Sequence, residues 1–150
     1  GLYRVNKKGE FNVPYSKRTG EFFNPDDLRN AAEFLAHTLI YTGDYLDVLR
    51  ANAQQNDFIF LDPPYYPVGK YSDFKRYTKE FFYIEDQVEL KLEFDRLVEL
   101  GCKVLLTNSD HPFILDLYKE YHIEVFETKR LISSNPNTRT GKDIVVFGSK

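Results

Sequence analysis

Four short apolar runs constrain this chain more than any other feature. Phe58-Ile59-Phe60-Leu61, Val104-Leu105-Leu106, Ile123 to Phe126 and Ile144 to Phe147 are mostly apolar without interruption. Runs of that kind predict strands buried on both faces, in a sheet covered by helices. Between the first two, residues 84 to 100 place Leu90, Phe94, Leu97 and Val98 at i, i+4, i+7 and i+8, which is one helical stripe. Glu85 and Asp86 suit the N-terminus of that helix electrostatically, and Gly101 suits its C′ position. A second helix is expected after Pro112, with Phe113, Leu117 and Tyr118 turned inward. This strand-helix-strand-helix-strand alternation is the pattern of an α/β domain.

Upstream, Asn24-Pro25 introduces a helix from Asp26 to Ala36 that leads into the apolar Thr38 to Tyr41, ended by Gly43-Asp44. Residues 1 to 20 differ in kind. Lys7-Lys8-Gly9-Glu10 reads as a turn joining Tyr3-Arg4-Val5 to Phe11-Asn12-Val13, a basic hairpin. No internal repeat or low-complexity tract interrupts the chain.

With 42% hydrophobic and 16% aromatic residues in a length of 150, one core can be buried and disorder is excluded as a general description. No apolar run approaches the roughly 20 residues of a membrane helix, and no leader pattern opens the chain, so a soluble cytoplasmic protein is expected. The lone Cys102 has no partner for an internal disulfide and precedes an apolar run, which predicts a small core residue and not a nucleophile. The chain opens on Gly1 and holds no Met, which raises the expectation of a piece of a longer product.

A formal net charge of −3 argues against a nucleic-acid partner until its distribution is considered. Arg4, Lys7, Lys8, Lys17 and Arg18 stand against Glu10 alone; Lys70, Lys75, Arg76 and Lys79 stand against Asp73; Lys129, Arg130, Arg139 and Lys142 meet no acid between them. The rest of the chain is correspondingly acidic. Such segregation fits a polyanion-binding face on an acidic body, the alternative being three solvated loops that never converge.

Asp62-Pro63-Pro64-Tyr65 directly follows the first buried run, at the carboxyl end of a strand, where open α/β sheets bind their ligands. By chance this tetrapeptide should occur in on the order of one chain in a thousand of this length. The bland alternative is a proline-rich strand exit with a capping Asp and a packed Tyr. The chemical reading is methylation of an exocyclic amine. The lone pair of adenine N6 is delocalised into the ring and must be localised before it attacks a methyl group, and two acceptors aimed at the N6 hydrogens achieve that. Asp62 offers a carboxylate oxygen and Pro63 its carbonyl, while consecutive prolines hold the turn stiff and expose no competing N–H. Attack on a sulfonium methyl is in-line, so rate comes from alignment and from negative potential near N6, with no covalent enzyme intermediate and no metal. Tyr65 adds a flat π-face for an extruded base, worth roughly 1 to 3 kcal/mol per stacked base. Tyr66, Phe74, Tyr77, Phe81 and Phe82 continue an aromatic series through a basic loop, some of them as core.

Asp62-Pro63-Pro64-Tyr65 resembles motif IV of the amino-methyltransferases. Gly9-Glu10-Phe11-Asn12-Val13-Pro14 is similar to the target-recognition hairpin of bacterial DNA adenine methylases of the GATC-modifying, D12 class. Arg130-Leu131-Ile132-Ser133-Ser134-Asn135, with Thr138-Arg139, resembles the loop before that family's last strand, and the match runs through nearly the whole chain in the family's order. The resemblance implies an α/β fold, part of a Rossmann-like S-adenosylmethionine-dependent methyltransferase sheet with a small basic recognition hairpin and helix. It divides the chain into a DNA-binding part, residues 1–36, and a partial catalytic domain, residues 37–150. The implied activity is transfer of a methyl group from S-adenosylmethionine to a flipped adenine in duplex DNA, at a GATC-like site, in a bacterial or phage cytoplasm. Restriction-modification is one setting of such enzymes.

By the same resemblance Asp62 touches both the flipped adenine and the amino end of the cofactor, with Pro63, Pro64 and Tyr65 completing the catalytic turn. Tyr41-Thr42-Gly43-Asp44-Tyr45 resembles the segment at the cofactor's adenine ring, making Asp44 and Tyr45 cofactor candidates; Asp44 reads equally as a helix cap before Leu46. Leu2, Arg4, Asn12, Pro14, Lys17 and Arg18 fall where the hairpin meets DNA. Arg4 has the fork for guanine O6 and N7, and Lys17 is suited to phosphate, though either can be a solvated charge. Ser133, Ser134, Asn135 and Arg139 are further DNA candidates, the first three able instead to cap their own turn.

The pattern departs from the family in one respect. No Gly-x-Gly exists in the chain, and the first two strands that the family places in mid-sheet, between a strand ending near Tyr41 and the one ending at Leu61, are missing. A gap is therefore expected there, to be filled by an N-terminal half of the same enzyme, with the 150 residues alone binding cofactor weakly and not methylating DNA. A monomer is expected. The competing readings are an amino-methyltransferase acting on RNA or cytosine N4, and a non-catalytic DNA-binding fragment.

Overall fold

The computed structural model describes residues 6, 8–11, 23–68, 82, 84–129 and 140–150, which group into two compact units, 1–42 and 43–150. In the first unit, the turn expected around Gly9 is present. Asn6 N donates to Glu10 O at 2.9 Å, the Asn6 side-chain oxygen accepts from the N–H groups of Lys8 and Glu10, and Gly9 takes φ +82°, where a Cβ is disfavoured. The flanking segments of the expected hairpin, residues 3–5 and 12–13, lie outside the described residues. Asn24 then starts α1 (Pro25–Leu35): its side chain accepts from Asp26 N at 2.9 Å, and Pro25 fills the first turn, where its missing N–H costs nothing.

The run behind α1 corrects an expectation. Thr38 to Tyr41 forms no strand, and Leu39 and Ile40 are 81% and 72% exposed. A strand satisfies its backbone groups only by pairing, and among the described residues nothing pairs with this run.

The second unit opens with α2 (Tyr45–Asn52) and continues through β1 (Phe58–Leu61), α3 (Ile84–Leu100), β2 (Lys103–Ser109), α4 (Pro112–Leu117), β3 (His122–Lys129) and β4 (Thr140–Gly148). The four strands form one mixed sheet in the order β1-β2-β4-β3. β1 and β2 are parallel, with Leu61 beside Leu106, and parallel neighbours need a long crossover, which α3 supplies. β4 is antiparallel to both β2 and β3.

The α3 stripe is the one the sequence predicts: Leu90, Phe94, Leu97 and Val98 are buried, and Gly101 ends the helix at φ +92°. They join Val104, Leu106, Ile144 and Val146 from the sheet, and Ile114 and Tyr118 from α4 and its cap, in a single core. Cys102 belongs to that core, its thiol raised by burial and within 3.2 Å of the Gln54 carbonyl. α3 approaches β4 so closely that a Cβ on Gly148 would sit 2.5 Å from Val98 Cγ2. Glu93 is also buried, on α3, clamped by Arg96 at 2.6 Å, with Arg50 of α2 at 3.5 Å from the same carboxylate. An unpaired carboxylate there would be costly; Arg96 pairs it within α3, and Arg50 ties α2 to α3.

Burial of the strands on both faces does not hold. Side chains alternate across a strand, and the face opposite α3 leaves Phe58 and Phe60 68% and 56% exposed, with Phe126 and Phe147 also open. The apolar runs are continuous, yet only one of their faces is covered among the described residues.

Candidate functional site

β1 delivers Asp62-Pro63-Pro64-Tyr65 to its carboxyl end, as the sequence predicts, and the register sets Thr107 of β2 opposite Asp62. Asp62 is exposed, and the Thr107 hydroxyl donates to its Oδ1 at 2.6 Å, fixing the carboxylate's orientation. Burial pushes the Tyr65 phenol above its ordinary value; a side-chain hydrogen bond with Thr107 opposes this and the Asp62 charge adds to it. Carboxylate, hydroxyl and phenol therefore form one cluster.

The turn is held from beneath by two fully buried amides. Gln87, in the first turn of α3, donates from Nε2 to the Pro64 carbonyl at 3.0 Å. Asn108 of β2 donates to Gln87 Oε1 at 3.1 Å and accepts from Tyr66 N at 2.9 Å. The Tyr66 ring packs on His111 and Phe113, with centroids 4.6 and 5.0 Å away. Leaving one of these buried amides unpaired would cost about 1 to 3 kcal/mol, so the turn is anchored on both flanks. Among the described residues nothing donates to the Pro63 carbonyl. Asp62 and Pro63 thus present two acceptors side by side while Pro64 is engaged elsewhere.

Beside the turn lies a cavity of about 330 Å³ lined by Tyr45, Phe60, Leu61, Asp62, Pro63, Pro64, Phe82 and Leu90. Its wall is apolar apart from the Asp62 carboxylate and the phenol of Tyr45. The Tyr45 hydroxyl is buried with no hydrogen-bond partner among the described residues, and burial, reinforced by Glu89 and Asp44, pushes it up to about 12. An orphaned phenol O–H, a carboxylate and aromatic walls suit a ligand with a flat ring at one end and a cationic amine at the other, as in S-adenosylmethionine.

Of the two cofactor candidates, Tyr45 lines the cavity and Asp44 does not. Asp44 is the N-cap of α2, its side chain accepting from Leu46 N at 2.8 Å. The ten DNA candidates Leu2, Arg4, Asn12, Pro14, Lys17, Arg18, Ser133, Ser134, Asn135 and Arg139 all lie outside the described residues, as do Lys70, Lys75, Arg76 and Lys79. Sequence reasoning missed Thr107, Gln87 and Asn108. Two polar residues closing the apolar β2 run, and a Gln three residues before the first core position of α3, were the available signals.

The model of the D12 class N6 adenine-specific DNA methyltransferases matches residues 1–132. The type II methyltransferase M.MjaIII of Methanocaldococcus jannaschii is 37% identical over 141 residues, 93% of this chain and 48% of that protein. The DNA adenine methylase of Escherichia coli K12 is 33% identical over 143 residues, 95% of this chain and 51% of the methylase. The DNA N-6-adenine-methyltransferase of Escherichia phage P1 is 33% identical over 141 residues, 93% of this chain and 19% of the phage protein. The chain spans about half the length of the first two relatives. No helix among the described residues is long and apolar enough to cross a membrane. On the family match, carried through the strand-end acidic-diproline turn, the chain belongs to the D12 class N6 adenine-specific DNA methyltransferases.

Proposed function

We propose that this chain is the part of an S-adenosylmethionine-dependent DNA adenine N6-methyltransferase that carries the catalytic turn, and that the enzyme modifies a flipped adenine in duplex DNA at a GATC-like site. The observation that carries the reading is the pair of adjacent acceptors. Thr107-oriented Asp62 is followed directly by Pro63, whose carbonyl meets no donor among the described residues, and both residues line an apolar cavity.

Asp62 and Pro63 accept the two N6 hydrogens, which concentrates the nitrogen lone pair toward the methyl donor and stabilises the positive charge that develops there. Tyr65 stacks on the swung-out base. The cofactor, when bound, supplies an electrophilic sulfonium methyl. Tyr45, Asp62 and the apolar wall would hold it, and Asp44, outside that lining and with one carboxylate oxygen committed to the α2 cap, would meet its adenosine end. The Asp62 carboxylate also takes the N6 proton or relays it to solvent, since it is exposed. Leu2, Arg4, Asn12, Pro14, Lys17 and Arg18 read bases and phosphates, and Ser133, Ser134, Asn135 and Arg139 hold the backbone near the flipped nucleotide.

The catalytic unit is completed by further strands of the same protein. The outer edge of β1 is unpaired among the described residues, its Phe58 and Phe60 are open, and the chain contains no Gly-x-Gly. The 150 residues alone accordingly bind S-adenosylmethionine weakly and transfer no methyl group. The test is Asp62→Ala in the complete enzyme, assayed with labelled cofactor and duplexes with and without GATC. Methyl transfer should fall by at least about a thousandfold while duplex affinity holds, because Asp62 makes no favourable phosphate contact. Retained transfer in the variant rejects the reading.

A further inference from the structure

The polar groups beneath the catalytic turn are arranged in one direction only. Asn108 Oδ1 is saturated by two backbone donors, Tyr66 N at 2.9 Å and Ser109 N at 2.8 Å. Its Nδ2 is therefore the end left to face Gln87, and donates to Oε1 at 3.1 Å. With its oxygen used, Gln87 can offer only Nε2 onward, and that nitrogen donates to the Pro64 carbonyl at 3.0 Å. Both side chains are 0% exposed, so water does not compete for the bond between the two amides. Prolines at 63 and 64 have no N–H, so backbone donors cannot hold this stretch and its orientation has to be imposed through carbonyls.

We propose that Gln87 and Asn108 form a directional amide relay that turns the Pro64 carbonyl inward and leaves the Pro63 carbonyl beside Asp62 to face the substrate amine. Both are then positioning residues for methyl transfer. The inference rests on the adenine N6 reading for its chemistry. It adds the reason why one of two consecutive proline carbonyls, and not the other, is offered to the substrate. Without the Gln87 donor, the Pro64 carbonyl has no inward partner, so the 64–65 peptide can turn about Pro64 ψ and the ring-locked turn, with the Pro63 carbonyl on it, shifts as a body. Misplacing an acceptor by about 1 Å is enough to cost on the order of a hundredfold in rate.

Three variants of the complete enzyme test it. Gln87→Met keeps the volume and removes both the donor and the acceptor of the amide; kcat should drop about a hundredfold with the Kd for duplex and for S-adenosylmethionine unchanged. Gln87→Glu separates positioning from packing. A neutral carboxyl can donate its hydroxyl to Pro64 and accept from Asn108, whereas a carboxylate cannot donate, so kcat should recover as pH falls, in a folded protein, along a profile the unaltered enzyme lacks. Asn108→Asp keeps the acceptor for Tyr66 and removes the donor to Gln87, and should resemble Gln87→Met. Unchanged kcat in Gln87→Met, a loss matched by lost binding or lost folded fraction, or a Gln87→Glu profile parallel to the unaltered enzyme overturns the relay. If the unaltered enzyme methylates no adenine duplex, the functional reading fails on its own. The relay is then judged by the Pro64 carbonyl carbon NMR shift, which should move in Gln87→Met and which overturns the relay if it stays fixed.

Discussion

The two faces of the sheet both carry large apolar side chains and meet opposite fates. On the α3 side, Leu106, Ile144 and Val146 are fully buried, and so are Gln87 and Asn108, the amides beneath the catalytic turn. On the other side, Phe60, Leu105 and Phe147 lie in register across three strands, and the row ends on His122, yet both phenylalanines are open. The covered face carries the stability and the precision of the site. The open face carries apolar area that this chain leaves without a covering layer among its described residues. A buried amide orients a backbone only where water is excluded, so the backbone of the turn is anchored from the covered side, while Thr107 orients the Asp62 carboxylate from the other.

Three changes should affect the covered and open faces unequally. Phe94→Ala empties the centre of the covered face and should lower stability by about 3 to 5 kcal/mol in urea unfolding; a loss under about 1 kcal/mol would mean the core is not shared as described. Raising the pH acts next. The Tyr45 phenol, packed against that core and pushed up to about 12, holds its proton in the folded chain after the unfolded chain has released its own. Its contribution is complete below about pH 10 and is lost as pH climbs from there toward the folded value. Urea unfolding at stepped pH, beside Tyr45→Phe, checks this: the variant should lose part of that alkaline decline, and an identical decline in both proteins assigns it to other groups. Phe58→Ser, on the open face, should shift stability by no more than about 0.5 kcal/mol. A shift of several times that size in the isolated chain would show that the open face is packed after all.

Much of the fold was legible because its signals are local. The α3 stripe, the Gly101 stop, the Asn24 cap and the four apolar runs each depend on residues within a turn or two of one another, and all appear where the sequence puts them. Thr38 to Tyr41 misled for the converse reason: its apolar character is local, but a strand needs a partner from elsewhere. The continuous runs misled about burial likewise, since hydrophobicity reports what a face needs and not what covers it.

For the site, residue order alone supplied the acidic-diproline turn, its place at the carboxyl end of a strand and the chemistry those residue types allow. Tertiary structure alone decided which groups meet that turn. Thr107 reaches Asp62 across 45 residues, Asn108 reaches Tyr66 across 42 and Gln87 reaches Pro64 across 23. Those pairings follow from the parallel β1–β2 register and the crossover through α3, which no local window contains. Periodicity and capping act over one turn of chain, whereas the orientation of a carbonyl is set by whichever donor the packed core brings beneath it.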